Sequence, residues 1–163
     1  MAGYGTDDLF AAWAAENGHV LPTDAPVPAI LRQRASDYID GLYGARFKGL
    51  PTGGFEQERA WPRTGAVAHR QAIPADAIPD AVIRATYAAA LYEAQNPGKL
   101  VISATASGVL KRKKIDVIEK EYFEGSGDAV ADATVRLSSV EGYLAPFLRP
   151  IDAVAGLGLW AVG

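Results

Sequence analysis

The sequence predicts a mainly α fold: a small helical bundle with a long loop, one β-hairpin and an extended C-terminal tail. Two patterns carry that prediction. Apolar residues recur at helical spacing in segments beginning near residues 6, 28, 79 and 138. Between residues 44 and 77, Gly44, Gly49, Pro51, Gly53, Gly54, Pro62, Gly65 and Pro74 break both helical and strand periods. At 163 residues one core suffices, because a domain of that length buries roughly two thirds of its unfolded surface. The hydrophobic fraction of 49% and 17 glycines suit a folded chain with substantial loops. Residues 1–150 therefore read as one helical domain and 151–163 as a tail.

Taken in order, Thr6 caps a first helix whose Leu9, Phe10, Trp13 and Ala14 share a face and which Gly18 stops. The proline-rich connector "LPTDAPVPA" leads to Pro28, placed in the first turn of a second helix. There Leu31, Ala35, Tyr38, Ile39 and Leu42 form a core stripe opposite Arg32, Arg34, Asp37 and Asp40. The glycine- and proline-rich stretch that follows is too long to lie structureless in a compact domain, so something pins it. Phe47, Phe55 and Trp61 are the expected pins, and burying Trp61 contributes about 2–3 kcal/mol.

Pro79 opens the third helix, which closes before Asn96, Pro97 and Gly98. Its two apolar stripes, Val82, Ala85, Ala89 and Tyr92 on one side and Ile83, Tyr87, Ala90 and Leu91 on the other, make it central. The segment "VLKRKKIDVIEKEYFEG" reads as a β-hairpin at about 109–123, with Lys114 facing Glu119, Arg112 facing Glu121 and Leu110 facing Phe123. Ser138 and Glu141 form a capping box ahead of Val140, Tyr143, Leu144, Phe147 and Leu148, and Pro146 shortens that helix. The tail "IDAVAGLGLWAVG" is apolar yet holds three glycines, a composition that wants a partner surface.

Chemistry is sparse. The absence of cysteine excludes disulfides and thiolate metal sites. His19 and His69 each lack a second histidine at metal-binding spacing, so they read as surface residues. Asp37 and Asp40 share a helix edge but read as solvated carboxylates beside Arg34. No serine sits in a nucleophile elbow, and Gly156 and Gly158 lack the strand-to-helix context of a dinucleotide site. The expectation is a protein that is not an enzyme and has no cofactor. The N-terminal stretch lacks a basic n-region and no apolar run approaches the roughly 20 residues of a membrane span, so a cytosolic setting without membrane contact is expected. With a formal charge of −3, any basic site is local. The compact basic cluster is Lys111, Arg112, Lys113 and Lys114, which either pairs with Glu119 and Glu121 on a solvated ribbon or meets an acidic protein surface or DNA.

The motifs "WPRTG", "IPADAIPDAVIRATYAAALYEA", "LKRKKIDVIEKEY" and "VEGYLAPFLRP", in that order, resemble the head-tail adaptor, or head completion, proteins of tailed phages and phage-like particles. This group is often labelled DnaT-like single-stranded-DNA-binding proteins, and the resemblance covers about residues 28–150. It implies a mainly helical subunit made in the host cytoplasm and found at the virion neck, where a ring, usually of twelve copies, sits beneath the portal protein. Such a ring extends the DNA channel and offers a platform to a stopper or tail-completion protein, while packaged double-stranded DNA passes without tight binding. Read in that light, Trp61 anchors the loop, Pro62 sets its direction, and Arg63 reaches a carboxylate within the subunit or on a neighbour. The hairpin residues Lys111, Arg112, Lys113, Lys114, Glu119 and Glu121 form an interface, and Leu157, Leu159 and Trp160 dock the tail on the portal. The alternative follows the family label: a single-stranded-DNA-binding replication accessory protein working through the basic hairpin.

Overall fold

The computed structural model describes residues 2–100 and 135–150; the hairpin expected at about 109–123 and the tail 151–163 lie outside them. Among the described residues the fold is mainly α, with four α-helices and two small antiparallel β pairs.

Helix α1, Asp7–Glu16, begins where the Thr6 hydroxyl accepts a hydrogen bond from the Leu9 amide at 3.2 Å, with Asp7 and Asp8 in the first turn facing the positive end of the helix dipole. It ends in a Schellman motif: Gly18, at φ 71°, lets His19 N–H reach Ala14 O at 2.8 Å while its own N–H reaches Ala15 O at 3.0 Å. Phe10 and Ala14 are buried and Trp13 is half-buried. Leu9, expected on the same face, is instead 57% exposed. It lies about 100° around the helix from Phe10, beyond the edge of a stripe that a single neighbouring surface can cover.

Helix α2, Pro28–Tyr43, starts with proline at its first position, where the missing N–H leaves no helical bond unmade. Leu31, Ala35, Tyr38 and Ile39 are buried as expected, and Tyr43 joins them. Arg32, expected on the polar face, is buried as well, because the extended chain before α1 crosses over it. Its guanidinium donates to the carbonyls of Gly3, Tyr4 and Gly5 at 3.0, 3.2 and 2.7 Å, and its Nε donates to Asp7 at 2.7 Å.

Helix α3, Asp80–Gln95, is the centre of the bundle and packs against α1, α2 and α4. Ala85, Ala89, Ala90 and Ala94 are buried, and such small side chains let neighbouring backbones come close. Glu93 is also buried: its carboxylate accepts from Gly98 N–H at 2.9 Å and from Arg34 at 2.9 Å, tying off the turn that leaves the helix. Helix α4, Ser138–Leu144, buries Val140 and Leu144. The expected capping box does not form, since Leu137 is the N-cap and Ser138 is already helical. Glu141 turns instead toward the Tyr43 hydroxyl, at 3.3 Å, and Arg136, at 3.5 Å. At Pro146, which lacks the donor for continued α-helix, the chain tightens to a 3-10 turn over Ala145–Phe147.

The segment from 44 to 77 is not structureless. Strand β1, Leu50–Pro51, pairs antiparallel with β2, Arg63–Thr64, placing Leu50 opposite Thr64 and Pro51 opposite Arg63. Strand β3, Val67–Ala68, pairs with β4, Gln71–Ala72. Between β3 and β4, His69 and Arg70 both have positive φ, 50° and 65°, the signature of a type I′ turn made without asparagine or glycine. Both histidines are exposed, as expected.

Gly49 has φ 75°, and a Cβ there would strike the backbone at Thr64 O and at Ala66 N, 2.7 Å away. Gly49→Ala is expected to destabilise by more than about 1 kcal/mol, lowering the melting temperature by several degrees. Gly41→Ala, in α2 with open space at its Cβ, is expected to raise stability by about 0.5–1 kcal/mol. Thermal denaturation of the two variants checks both signs.

Candidate functional site

The loop motif occupies the seam between the helical bundle and the irregular arm. Trp61 is 1% exposed and its ring meets two phenylalanines edge-on, Phe47 at 5.6 Å and Phe147 at 6.0 Å between centroids. The Trp61–Pro62 peptide is cis. The expected role of Trp61 as loop anchor is what the packing shows, and Phe47, wholly buried, is the second pin. Phe55 is not a pin. It is 98% exposed, because the 3-10 turn Gly54–Glu56 carries it outward at the far end of the arm.

Arg63 contacts no carboxylate among the described residues. It is 5% exposed, lies over the Phe47 ring, and gives its donors to backbone carbonyls: Nε to Lys48 at 2.9 Å, Nη1 to Ala60 at 3.0 Å, and Nη2 to Gly49 at 2.7 Å and Phe47 at 3.4 Å. The physical reason is the loop itself. Its carbonyls have few ladder partners, and a planar fork with five donors satisfies several at once. Burial, and secondly the charge of Arg149, pulls the Arg63 pKa below its ordinary value.

A second polar knot fastens the loop from above. Tyr4 OH accepts from the Trp61 amide at 3.0 Å and donates to Asp40 at 2.6 Å. Arg59 then bridges Asp37, at 2.6 Å, and Asp40, at 3.3 Å, while its guanidinium lies 5.8 Å from the Tyr4 ring centre. The expectation of solvated Asp37 and Asp40 beside Arg34 holds for Asp37, which stays exposed, and is corrected for Asp40, which is largely covered, and for the partner: Arg59 bridges both while Arg34 pairs with Glu93. Burial raises the pKa of Asp40 above its ordinary value although Tyr4, Ala60 and Arg59 all act to lower it. Burial likewise pushes the Tyr4 hydroxyl up, with the neighbouring Asp40 reinforcing the shift.

The arm these knots hold is internally braced. Gln57 accepts from Gly53 N–H at 2.8 Å and donates to the carbonyls of Arg59 and Pro62 at 2.7 and 3.0 Å; Thr52 donates to Ala75 O at 2.6 Å. On this braced frame Leu50, Phe55 and Val67 are exposed, the first two at 66% and 98%. Of the residues singled out from sequence, Trp61, Pro62 and Arg63 come together here, with Trp61 and Arg63 turned inward. Lys111, Arg112, Lys113, Lys114, Glu119 and Glu121, and the tail residues Leu157, Leu159 and Trp160, lie outside the described residues. Tyr4, Asp40 and Arg59 were not legible as partners, because their interactions span 19 to 57 positions in the chain and no local pattern marks them.

Fold and site together define a small helical scaffold that presents a pinned, partly apolar arm. The chain belongs to the family described as "Putative DnaT-like ssDNA binding protein", whose model matches residues 3–160. The comparisons with curated proteins and with solved structures each returned no match.

Two outcomes follow from the knots. Arg63→Lys is expected to lose about 2–4 kcal/mol in urea unfolding, since an ammonium cannot reproduce the fork and buried carbonyls are left unpaired. For Asp40 the raised folded-state pKa means that the native state binds the proton more readily than the unfolded chain. Its contribution is fully present below the unfolded carboxylate pKa and is lost as pH rises through the folded value. The stability difference between the parent and Asp40→Asn is therefore expected to grow in the parent's favour as pH falls from 7 toward about 4. Urea unfolding across that range checks the sign.

Proposed function

We propose that the protein is a structural head-tail adaptor of a tailed phage or phage-like particle. In this reading it forms a ring under the portal, extends the DNA channel and gives a stopper or tail protein its platform. The observation that carries the reading is the arm: a chain segment closed on itself by Arg63 and fastened to the rest of the fold through Trp61 and Tyr4, yet bearing Phe55 and Leu50 in solvent. A rigid presentation of apolar side chains favours docking, because little entropy remains to be lost on contact. A ring of identical subunits needs two different contact patches on each. Leu9, Val20, Val27 and Ile30, exposed along α1, the connector and the start of α2, supply apolar surface for the second. Arg63 serves backbone carbonyls, and Tyr4, Asp40 and Arg59 serve one another, which suits a scaffold better than an enzyme, whose catalytic groups must converge on a reacting atom. A net charge of −3 suits a conduit through which DNA slides.

A second reading, a single-stranded-DNA-binding accessory protein, is favoured by the description of the family. Salt separates the two. A DNA binder loses affinity steeply with rising salt, with a slope near the number of phosphates contacted, whereas an adaptor has little affinity at physiological salt.

Electron microscopy of the protein mixed with portal rings of its own particle is expected to show added ring density at the tailward end. Phe55→Ser is expected to abolish that density while leaving the melting temperature within about 2 °C of the parent, since an exposed side chain adds little to the fold. No added density on intact portals, together with a steep salt slope for a single-stranded oligonucleotide, would replace the adaptor reading by the second one. Removal of residues 151–163 tests the tail separately: unchanged portal binding would exclude Leu157, Leu159 and Trp160 as the docking segment.

A further inference from the structure

The chain leaving α2 and the chain leaving α4 meet in an isolated antiparallel bridge between Phe47 and Leu148. Two backbone bonds secure it, Lys48 N–H to Phe147 O at 2.9 Å and Arg149 N–H to Arg46 O at 2.8 Å. This register sets Arg46 opposite Arg149. Like charges directly opposed across paired strands are unfavourable, so the placement calls for a compensating negative charge. Arg46 does not find it within the described residues. Its Nη2 donates to Arg149 O at 3.2 Å, and its Nε is buried with no partner among those residues.

Beside the bridge lies a cleft of about 320 Å³ lined by Arg46, Arg136, Arg149 and Glu141 over an apolar floor of Ala145, Leu148 and Pro150. Three guanidiniums thus face one carboxylate, and that carboxylate is already shared by Tyr43 and Arg136. The nearby Lys48 ammonium is turned to Pro146 O at 2.8 Å, behind the cleft. Among the described residues this is a local excess of positive charge with forked donors, the arrangement that suits a tetrahedral oxyanion taken by two or more N–H groups at once.

We propose that this cleft is an oxyanion site that takes a phosphate group, held by Arg46 and Arg149 across the bridge with Arg136 at its mouth. The assignment rests on neither functional reading. The phosphate comes either from a nucleic-acid backbone or from a free phosphorylated small molecule, and the two sources share the same chemistry.

The test titrates the full chain with inorganic phosphate at low ionic strength, following the arginine Nε–Hε resonances by NMR, with chloride at equal ionic strength as control. A saturable shift of the Arg46 and Arg149 signals, at least tenfold weaker in Arg149→Gln, is the expected result. Arg149 is exposed, so this variant keeps the fold; Arg46→Lys, which retains charge without the fork, is expected to fall between parent and Arg149→Gln. An oligothymidylate that competes with phosphate would support the site and identify a nucleic-acid source. Phosphate binding without oligonucleotide competition would support the site with a free phosphate as its ligand. No saturable response to phosphate, a response unchanged in Arg149→Gln, or binding of an acidic peptide in place of phosphate would overturn the proposal.

Discussion

Backbone carbonyls buried outside helices and sheets must be satisfied, and most of this structure follows from how that is done. The segment after α2 lies against the bundle with only two short strand pairs of its own. A buried amide or carbonyl without a partner costs about 1–3 kcal/mol, so several of them would prevent the loop from packing at all. One guanidinium, Arg63, gathers carbonyls from residues 47, 48, 49 and 60 and so closes the two ends of the loop upon each other. Arg32 performs the same service for residues 3, 4 and 5 before α1. Both irregular segments are thereby organised around a cation instead of a ladder.

These two centres are coupled. The chain that Arg32 holds carries Tyr4, and Tyr4 OH receives the amide of Trp61, two residues before Arg63. Tyr4 also donates to Asp40 on α2, which shares Arg59 with Asp37. The N-terminal segment, α2 and the loop therefore meet in one polar network, with the Phe47, Trp61 and Phe147 rings forming its apolar base. The network ties the three segments through Tyr4, Asp40 and Arg59, although Arg59 Nη2 and Trp61 Nε1 find no partner among the described residues. The consequence for function is stiffness where the chain has little regular structure. A braced arm can offer exposed Phe55 in a defined position, which a free loop of the same composition could not.

Charge is handled in the same local way. The protein as a whole is mildly acidic, yet arginines concentrate around the bridge between Phe47 and Leu148. Overall repulsion from DNA and a confined oxyanion site are compatible, because the field of a few guanidiniums is screened within about 10 Å at 0.1 M salt.

The helices were legible in the sequence because their causes are local. Thr6, Gly18, Pro28 and the stripes of α2 and α3 act within one or two turns, so caps, stops and buried faces follow from spacing alone. Trp61 was legible as an anchor because its ring offers the largest apolar area in the loop to bury. The fates of Phe55, Arg63, Asp40 and Arg32 were not legible. Phe55 and Trp61 look alike in a sequence, and only the 3-10 turn at Gly54–Glu56 sends one out while the other goes in. Arg63 looked like a residue seeking a carboxylate, since charge is visible in a sequence and unpaired carbonyls are not. By itself, then, the sequence determined a mainly helical domain with a pinned loop. The tertiary structure decided which polar groups do the pinning and which apolar groups remain outside, because hydrogen-bond demand in an irregular chain arises only once the chain is folded against its neighbours.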